Sequence, residues 1–153
     1  MRVIIQRSLE SNVSVNKKIV GKIEKGLVVL VGFTNNDSEK DIDYIIDKII
    51  HLRIFNDENG VMNKSLLDIK GDVLSVSQFT LYADTKKGRR PSYKNALNPS
   101  CASKLYDLFN DKLRQYVSVE TGIFGEDMKL SITNDGPVTI MLESDEKYEK
   151  NKL

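Results

Sequence analysis

The chain has 153 residues, of which 40% are hydrophobic and 29% charged, and its formal net charge is +1. That balance suits a globular chain with one packed core. It excludes a global field that would draw in nucleic acid, so any polyanion contact must come from a local patch. The single cysteine, Cys101, excludes an internal disulfide, and with one histidine, His51, there is no zinc spacing. No apolar run approaches the ~20 residues of a membrane span, and "MRVIIQRSLESN" meets charge too soon for a secretory signal. These features predict a cytosolic protein of one domain over 1–153 without a metal, a cofactor or a membrane partner.

"RVIIQRS" and "NVSVNKKIVGKI" read as strands with turns near Glu10–Asn12 and Asn16–Lys18. "GLVVLVGFT" is a continuous β-branched run, which predicts a strand buried on both faces. In "DSEKDIDYIIDKIIHLRIF", Ile42, Ile45, Ile46, Ile49 and Ile50 follow the spacing of one helix face, with Asp37 or Ser38 as N-cap. "NDENG" predicts a turn, "SLLDI" is ambiguous, and "GDVLSVSQFTLYA" predicts a second strong strand. "DTKKGRRPSYKNALNPS" is a polar loop. "NPSCASKLYDLFNDKLRQY" predicts a helix capped by Asn98 with Pro99 at its first position. Its buried side is expected to carry Cys101, Leu105, Leu108, Phe109, Leu113 and Tyr116. "VSVETGIFGEDMKLSITNDGPVTIMLES" returns to strands, with "NDGPVT" as the tip of a hairpin, and 145–153 is expected to be a frayed charged tail. Irregular alternation of strands and helices predicts an α+β fold, a mostly antiparallel sheet or barrel with two main helices. No glycine-rich phosphate fingerprint opens either helix, which excludes a doubly wound nucleotide-binding fold.

Four features bear on chemistry. His51 closes the first helix, where an imidazolium suits the helix dipole. Cys101 lies in the first turn of the second helix, where it reads either as a small buried hydrophobe or as a stabilised thiolate. Lys86, Lys87, Arg89 and Arg90 crowd into five residues with Tyr93 close behind; the loop is either solvated or a phosphate clamp. In "SQFTL", strand alternation sends Val76, Gln78 and Thr80 one way and Ser77, Phe79 and Leu81 the other, with Val76, Phe79 and Leu81 suited to a core. Ser77 and Gln78 then sit polar inside a run that should be buried. They either satisfy backbone groups or line a pocket.

"SQFTL" and "NDGPVT" together resemble the two signature motifs of the D-aminoacyl-tRNA deacylases. The likeness covers nearly the whole chain, including "MRVIIQR", "GLVVLVG", "GRRPSY", "ASKLYDLF" and "GIFGEDM". The resemblance implies a homodimeric enzyme that hydrolyses the ester joining a D-amino acid, or glycine, to the 3′ end of tRNA, as chiral proofreading. It further implies a cis Gly136–Pro137 peptide inserted into the partner's active site, and a Ser77-Gln78-Phe79-Thr80 segment that helps hold the terminal adenosine. A side-chain-free tip reads shape through the main chain and rejects the L form by exclusion, which permits broad substrates. On this resemblance Phe124 and Met128 are apolar walls of the pocket, Arg7 braces the tip, and Lys86, Lys87, Arg89 and Arg90 meet the tRNA backbone. Glu126 departs from the family's pattern, standing where many members carry a small residue in "FGA".

Within the two motifs Thr80 is the one side chain resembling a nucleophile, and no histidine or carboxylate accompanies it in "SQFT". The family is understood to lean on the tRNA's own terminal 2′-hydroxyl. The expected mechanism is therefore substrate-assisted, with Thr80 and backbone amides positioning the ester. Two other classes fit parts of the sequence: a non-catalytic RNA-binding module built on the basic loop, and a small-molecule esterase or thioesterase using Cys101.

Overall fold

In the computed structural model, residues 1–145 are described. The tail expected to fray lies, beyond Asp145, outside them. The first four strands follow one another: β1 (Arg2–Ser8), β2 (Ser11–Val15), β3 (Lys18–Ile23) and β4 (Gly26–Gly32). Asn16 and Lys17 take φ of 49° and 66°, the two left-handed positions that let a two-residue turn join β2 to β3. The helix α1 (Glu39–His51) starts from Ser38, whose backbone N–H donates to the Asp41 carboxylate at 2.9 Å. Its five isoleucines are each at most 4% exposed. Burying each contributes about 1.5–3 kcal/mol, so this stripe decides how the helix docks.

A short hairpin of β5 (Phe55–Asn56) and β6 (Met62–Lys64) holds the expected "NDENG" turn. The ambiguous "SLLDI" is one helical turn, α2 (Leu66–Ile69), capped by Ser65. Then come β7 (Asp72–Ser77), a 3₁₀ turn (Phe79–Tyr82), α3 (Pro99–Leu113), β8 (Val119–Thr121), β9 (Lys129–Ser131) and β10 (Asn134–Glu143). In α3 the Asn98 side-chain Oδ1 accepts from the Ser100 N–H at 2.9 Å, and Pro99 opens the helix, as the sequence predicts. The buried face is Ala102, Tyr106, Phe109, Asn110 and Leu113. Cys101 and Tyr116 are exposed, which corrects their placement on that face. Cys101 falls one step off the stripe, and Tyr116 lies past Leu113, where the helix has ended.

The central sheet has the order β10-β1-β4-β7-β8, and β2 lies between β3 and β9 in a second sheet. The α+β class holds. The sheet is mixed, however: β4 pairs with β7 in parallel and β7 with β8 in parallel. Among the described residues the sheets do not close into a barrel. The reason lies in the connections. The β4-to-β7 crossover carries α1 and the β7-to-β8 crossover carries α3, and long crossovers permit parallel pairing where a hairpin cannot. β4 is buried on both faces, as its composition predicts. Leu27, Val29 and Val31 join the cluster formed with α1 and α3, including Ile42, Ile45 and Phe109. Val28 packs on the other side with Val13, Ile23, Leu74 and Val76. No helix among the described residues is long and apolar enough to cross a membrane.

Two local expectations are corrected. "MKLSIT" and "VTIMLE" do not form a hairpin with each other: β9 pairs with β2, while β10 pairs with β1. "NDGPVT" is a bulge inside β10. Gln6 faces Thr139 and Ser8 faces Asn134, so Asp135, Gly136, Pro137 and Val138 all stand opposite Arg7. A proline without an amide hydrogen is tolerated here because β10 is an edge strand and a bulge needs no complete ladder. The strand through "SQFTL" also ends earlier than predicted, at Ser77. The chain then turns, and Phe79 is 55% exposed rather than in the core.

Candidate functional site

A cavity of about 520 Å³ opens at the C-terminal ends of β4 and β7. Val31, Gly32, Val76 and Ser77 form its floor, where the two parallel strands stop. The turn after β7 is built by backbone bonds. The Gln78 N–H donates to the Val31 carbonyl at 2.7 Å, and the Leu81 N–H donates to the Gln78 carbonyl at 3.2 Å. Gly32 makes this passage possible, since a Cβ there would meet the Gln78 carbonyl oxygen at 2.9 Å. Arg2 fixes the far end of the turn: its guanidinium donates to the Leu81 carbonyl at 2.6 Å and lies 4.7 Å from the centre of the Tyr82 ring. Burial pushes the Tyr82 phenol above its ordinary range, so it stays protonated.

Ser77, Gln78 and Phe79 line the cavity on one side, with Phe124 and Met128 on another. The N-terminal turn of α3 supplies Asn98, Pro99 and Ala102. Phe124 is set by Tyr106 of α3, whose ring centre lies 6.0 Å away. Tyr106 itself donates to the Ser75 carbonyl at 2.8 Å, and burial holds its phenol above the usual range. Tyr93 and Glu126 also line the cavity. The sequence gives no signal for either as a wall, apart from their place beside the motifs. The rings of Tyr93 and Phe79 meet edge to face at 5.1 Å.

Thr80 is not among the lining residues. Its hydroxyl accepts from the Gln78 carboxamide, an unusually close contact of 2.5 Å. No imidazole or carboxylate contacts it among the described residues. His51 is at the C-terminal end of α1, its ring nitrogen on Asp47 at 3.1 Å. Cys101 is exposed. Among the described residues no cluster of His, Cys, Asp or Glu could hold a metal. What the cavity offers is shape, aromatic surface, backbone polar groups and the Ser77 and Gln78 side chains.

Beside it runs the basic loop. Asp84 and Ser92 exchange both backbone bonds, at 2.8 and 2.9 Å, and so pinch the loop closed. Lys86, Lys87, Arg89 and Arg90 lie between them, all exposed. Among the described residues none of the four makes an ion pair. Tyr93 follows at once and carries the loop's base onto Phe79.

The Gly136–Pro137 peptide is cis and exposed. Arg7, 7% exposed, ties this bulge to its own chain. Its Nε donates to the Asp135 carbonyl at 2.8 Å, while Nη1 donates to the Ile54 carbonyl at 2.9 Å and to Asn56 at 3.2 Å. A Cβ on Gly136 would meet the Arg7 guanidinium at 2.8 Å and Val138 at 2.9 Å, with φ at +132°. The structure thus brings Arg7, Gly136 and Pro137 together, but apart from the cavity. Arg7 pairs with Leu27 across the sheet, at the opposite end of β4 from Val31. Four residues at ~3.3 Å each put ~13 Å between them along the strands, with two strand spacings, ~10 Å, across from β10 to β4.

Comparison with known proteins gives the family. The family model described as D-Tyr-tRNA(Tyr) deacylase matches residues 4–143. A D-aminoacyl-tRNA deacylase of Bacillus cytotoxicus is 57% identical over 145 residues, covering 94% of this chain and 99% of that protein. One from Thermosipho melanesiensis is 56% identical over 146 residues, covering 94% and 97%. Among solved structures, the c-Myc DNA Unwinding Element Binding Protein superposes with a TM-score of 0.89 at 36% identity, covering 94% of this chain and 98% of that one. The chain belongs to the D-Tyr-tRNA deacylase family.

Proposed function

We propose that the cavity beside Ser77, Gln78 and Phe79 receives the aminoacylated 3′ end of tRNA, and that the protein hydrolyses its ester there. The protein is a D-aminoacyl-tRNA deacylase: it releases the D-amino acid, leaves the L form attached, and so proofreads chirality. The observation that carries the reading is the cavity itself. It unites the Ser77–Phe79 segment with Phe124 and Met128, beside a loop of exposed cations, unpaired among the described residues, that suits a phosphate backbone. Phe79 and Tyr93 offer the aromatic surface on which a terminal base stacks.

Catalysis is substrate-assisted in this reading. Thr80 lacks the adjacent base that a nucleophilic hydroxyl needs, and its oxygen is engaged by Gln78. Thr80 and Gln78 therefore form one positioning unit. The 2′-hydroxyl of the terminal ribose, held next to the ester, supplies the assistance, and the protein contributes orientation. Glycyl-tRNA is accepted as well, because exclusion of an L side chain does not touch a substrate that has none.

The active unit is a homodimer with Gly136–Pro137 of each copy in the other's cavity. Support comes from the separation of the two features within one chain, on different strands and toward opposite ends of β4. Two-fold symmetry places both tips at once. The protein acts in the cytoplasm, where aminoacyl-tRNA is made. The test is deacylation of matched D- and L-tyrosyl-tRNA. Release of D-tyrosine and glycine with L-tyrosine retained is expected, and equal rates on the two enantiomers would overturn the reading.

A further inference from the structure

We infer that Asp37 is a positioning residue for the deacylase reaction: through Thr34 it holds the wall that carries Tyr93, and so sets that ring against Phe79. The inference rests on the cavity's taking the terminal base, as read above. Ser38, not Asp37, caps α1, which leaves the Asp37 carboxylate for another use. Its side chain is 5% exposed. A carboxylate so enclosed is costly unless both oxygens are engaged, and both are. Oδ1 accepts from the Met1 ammonium at 2.6 Å, and Oδ2 accepts from the Thr34 N–H at 2.7 Å. The ammonium also donates to the Ser144 hydroxyl at 2.9 Å, which ties Asp37 to the ends of β1 and β10.

Thr34 passes this anchor on to the cavity. Its hydroxyl donates to the Asn95 carbonyl at 2.5 Å, and its backbone forms an antiparallel bridge with Ala96. The Leu97 N–H donates to the Phe33 carbonyl at 3.0 Å, and the Ala96 N–H donates to the Tyr93 carbonyl at 3.0 Å. Phe33, Tyr93, Ala96 and Leu97 all line the cavity. On the Phe79 side, Arg2 holds the Leu81 carbonyl and with it the turn that bears Phe79. The two anchors meet at Tyr82. Arg2 lies over its ring, and burial, then the nearby Asp37 charge, pushes its phenol up. The start of β1 thus holds both sides of the edge-to-face contact between Phe79 and Tyr93. A base that stacks there meets rings already set in place, which spares the cost of ordering them on binding.

The experiment measures kcat and KM for D-tyrosyl-tRNA in the wild type, Asp37→Asn, Thr34→Val and Thr34→Ser. Asp37→Asn keeps the shape and removes the charge that faces the ammonium. Thr34→Val removes the bond to Asn95 alone, and Thr34→Ser restores it. Forfeiting the lower end of a base–aromatic contact raises KM about fivefold, so a rise of about that size is expected in Asp37→Asn and Thr34→Val, with kcat nearly preserved. Thr34→Ser should match the wild type. In a Tyr93→Ala background the effect of Asp37→Asn on KM should vanish, because the ring it positions is gone. If Asp37→Asn does not fold, the contrast between Thr34→Val and Thr34→Ser decides. A KM unchanged in every folded variant, with only the thermal transition lowered, would make Asp37 an element of the fold and overturn the inference. An equal effect with and without the Tyr93 ring would overturn it too. Absence of D-tyrosine release by the wild type would instead strike the cavity reading, and this inference with it.

Discussion

The cavity end and the Arg7 end of the central sheet are built in opposite ways. At the cavity, two parallel strands stop together, and the chain turns across their ends to leave a concave surface with exposed aromatic rings. At the other end the antiparallel edge strand β10 swells into a bulge that stands out from the sheet. The cavity is lined by apolar and aromatic side chains over a floor of strand ends. The bulge is made of backbone, and a buried arginine anchors it at three carbonyl or carboxamide oxygens. In the proposed mechanism one region receives the substrate and the other excludes the L form. A single chain holds both but does not bring them together: they lie on different strands, toward opposite ends of β4.

The comparison predicts that damage at the receiving end weighs most. Phe79 is more than half exposed and takes little part in the core, so Phe79→Ala should leave the thermal transition nearly unchanged. Its stacking surface is worth roughly 1–3 kcal/mol to a bound base, so the same change should lower kcat/KM about 5- to 150-fold. Phe109→Ala is the contrasting control: that ring is wholly buried in the main cluster, and its loss should cost about 3–5 kcal/mol of stability. Unaltered turnover in Phe79→Ala would remove the cavity from the mechanism.

The excluding end is tested by mixing. Gly136→Val places a side chain against Arg7 and Val138 at a φ that branched residues avoid. It disables the tip without touching the cavity, while Phe79→Ala disables the cavity without touching the tip. Random subunit exchange makes half the dimers mixed. In each of these, one of the two sites joins an intact cavity to an intact tip. Activity on D-tyrosyl-tRNA should reach roughly a quarter of wild type, plus about a quarter of whatever Phe79→Ala alone retains, provided Gly136→Val alone is inactive. Mixed dimers that form and stay inactive would show that the tip serves its own chain.

The two regions also differ in how much the sequence reveals. The stripe of isoleucines in α1, the doubly buried β4 and the Asn98–Pro99 start of α3 follow from local pattern, because each is decided by nearest neighbours along the chain. The parallel pairing of β7 with β4 and β8 is not local, and the strand order could not be read from alternation. Nor could the end of β7: "VSVSQFTLYA" stays strand-like in composition past Ser77, and it is the bond from Gln78 to Val31, on another strand, that turns it. Local pattern makes the bulge look like a hairpin for a related reason. Both flanks look like strands, but each finds its partner elsewhere, β9 on β2 and β10 on β1. The cavity joins residues from β4, β7, α3 and the loop after β8, so Phe124 and Met128 were reachable through resemblance alone. Tyr93 and Glu126 entered as walls once the fold had brought them there.

The smallest expected effect lies outside both regions, in the loop that carries Lys86, Lys87, Arg89 and Arg90. Its cations do no structural work: the loop is held closed by Asp84 and Ser92 backbone bonds, and the four side chains are exposed. Removing them should leave folding and the intrinsic chemistry of a short aminoacyl-adenosine substrate unchanged. Binding of whole tRNA is another matter. Each cation set against a phosphate releases counterions, so the logarithm of affinity should fall with the logarithm of salt by about 0.7–0.9 per contact. Single alanine variants should each reduce that slope by up to this amount, and the fourfold variant should flatten it the most. Because Tyr93 connects the loop to Phe79, a loop that grips the backbone also fixes where the 3′ end enters the cavity. The loss should therefore appear in KM for whole tRNA at moderate salt, with kcat nearly preserved. A slope unchanged in the fourfold variant would make the loop a solvated surface, and the approach of tRNA would then have to be sought on another face.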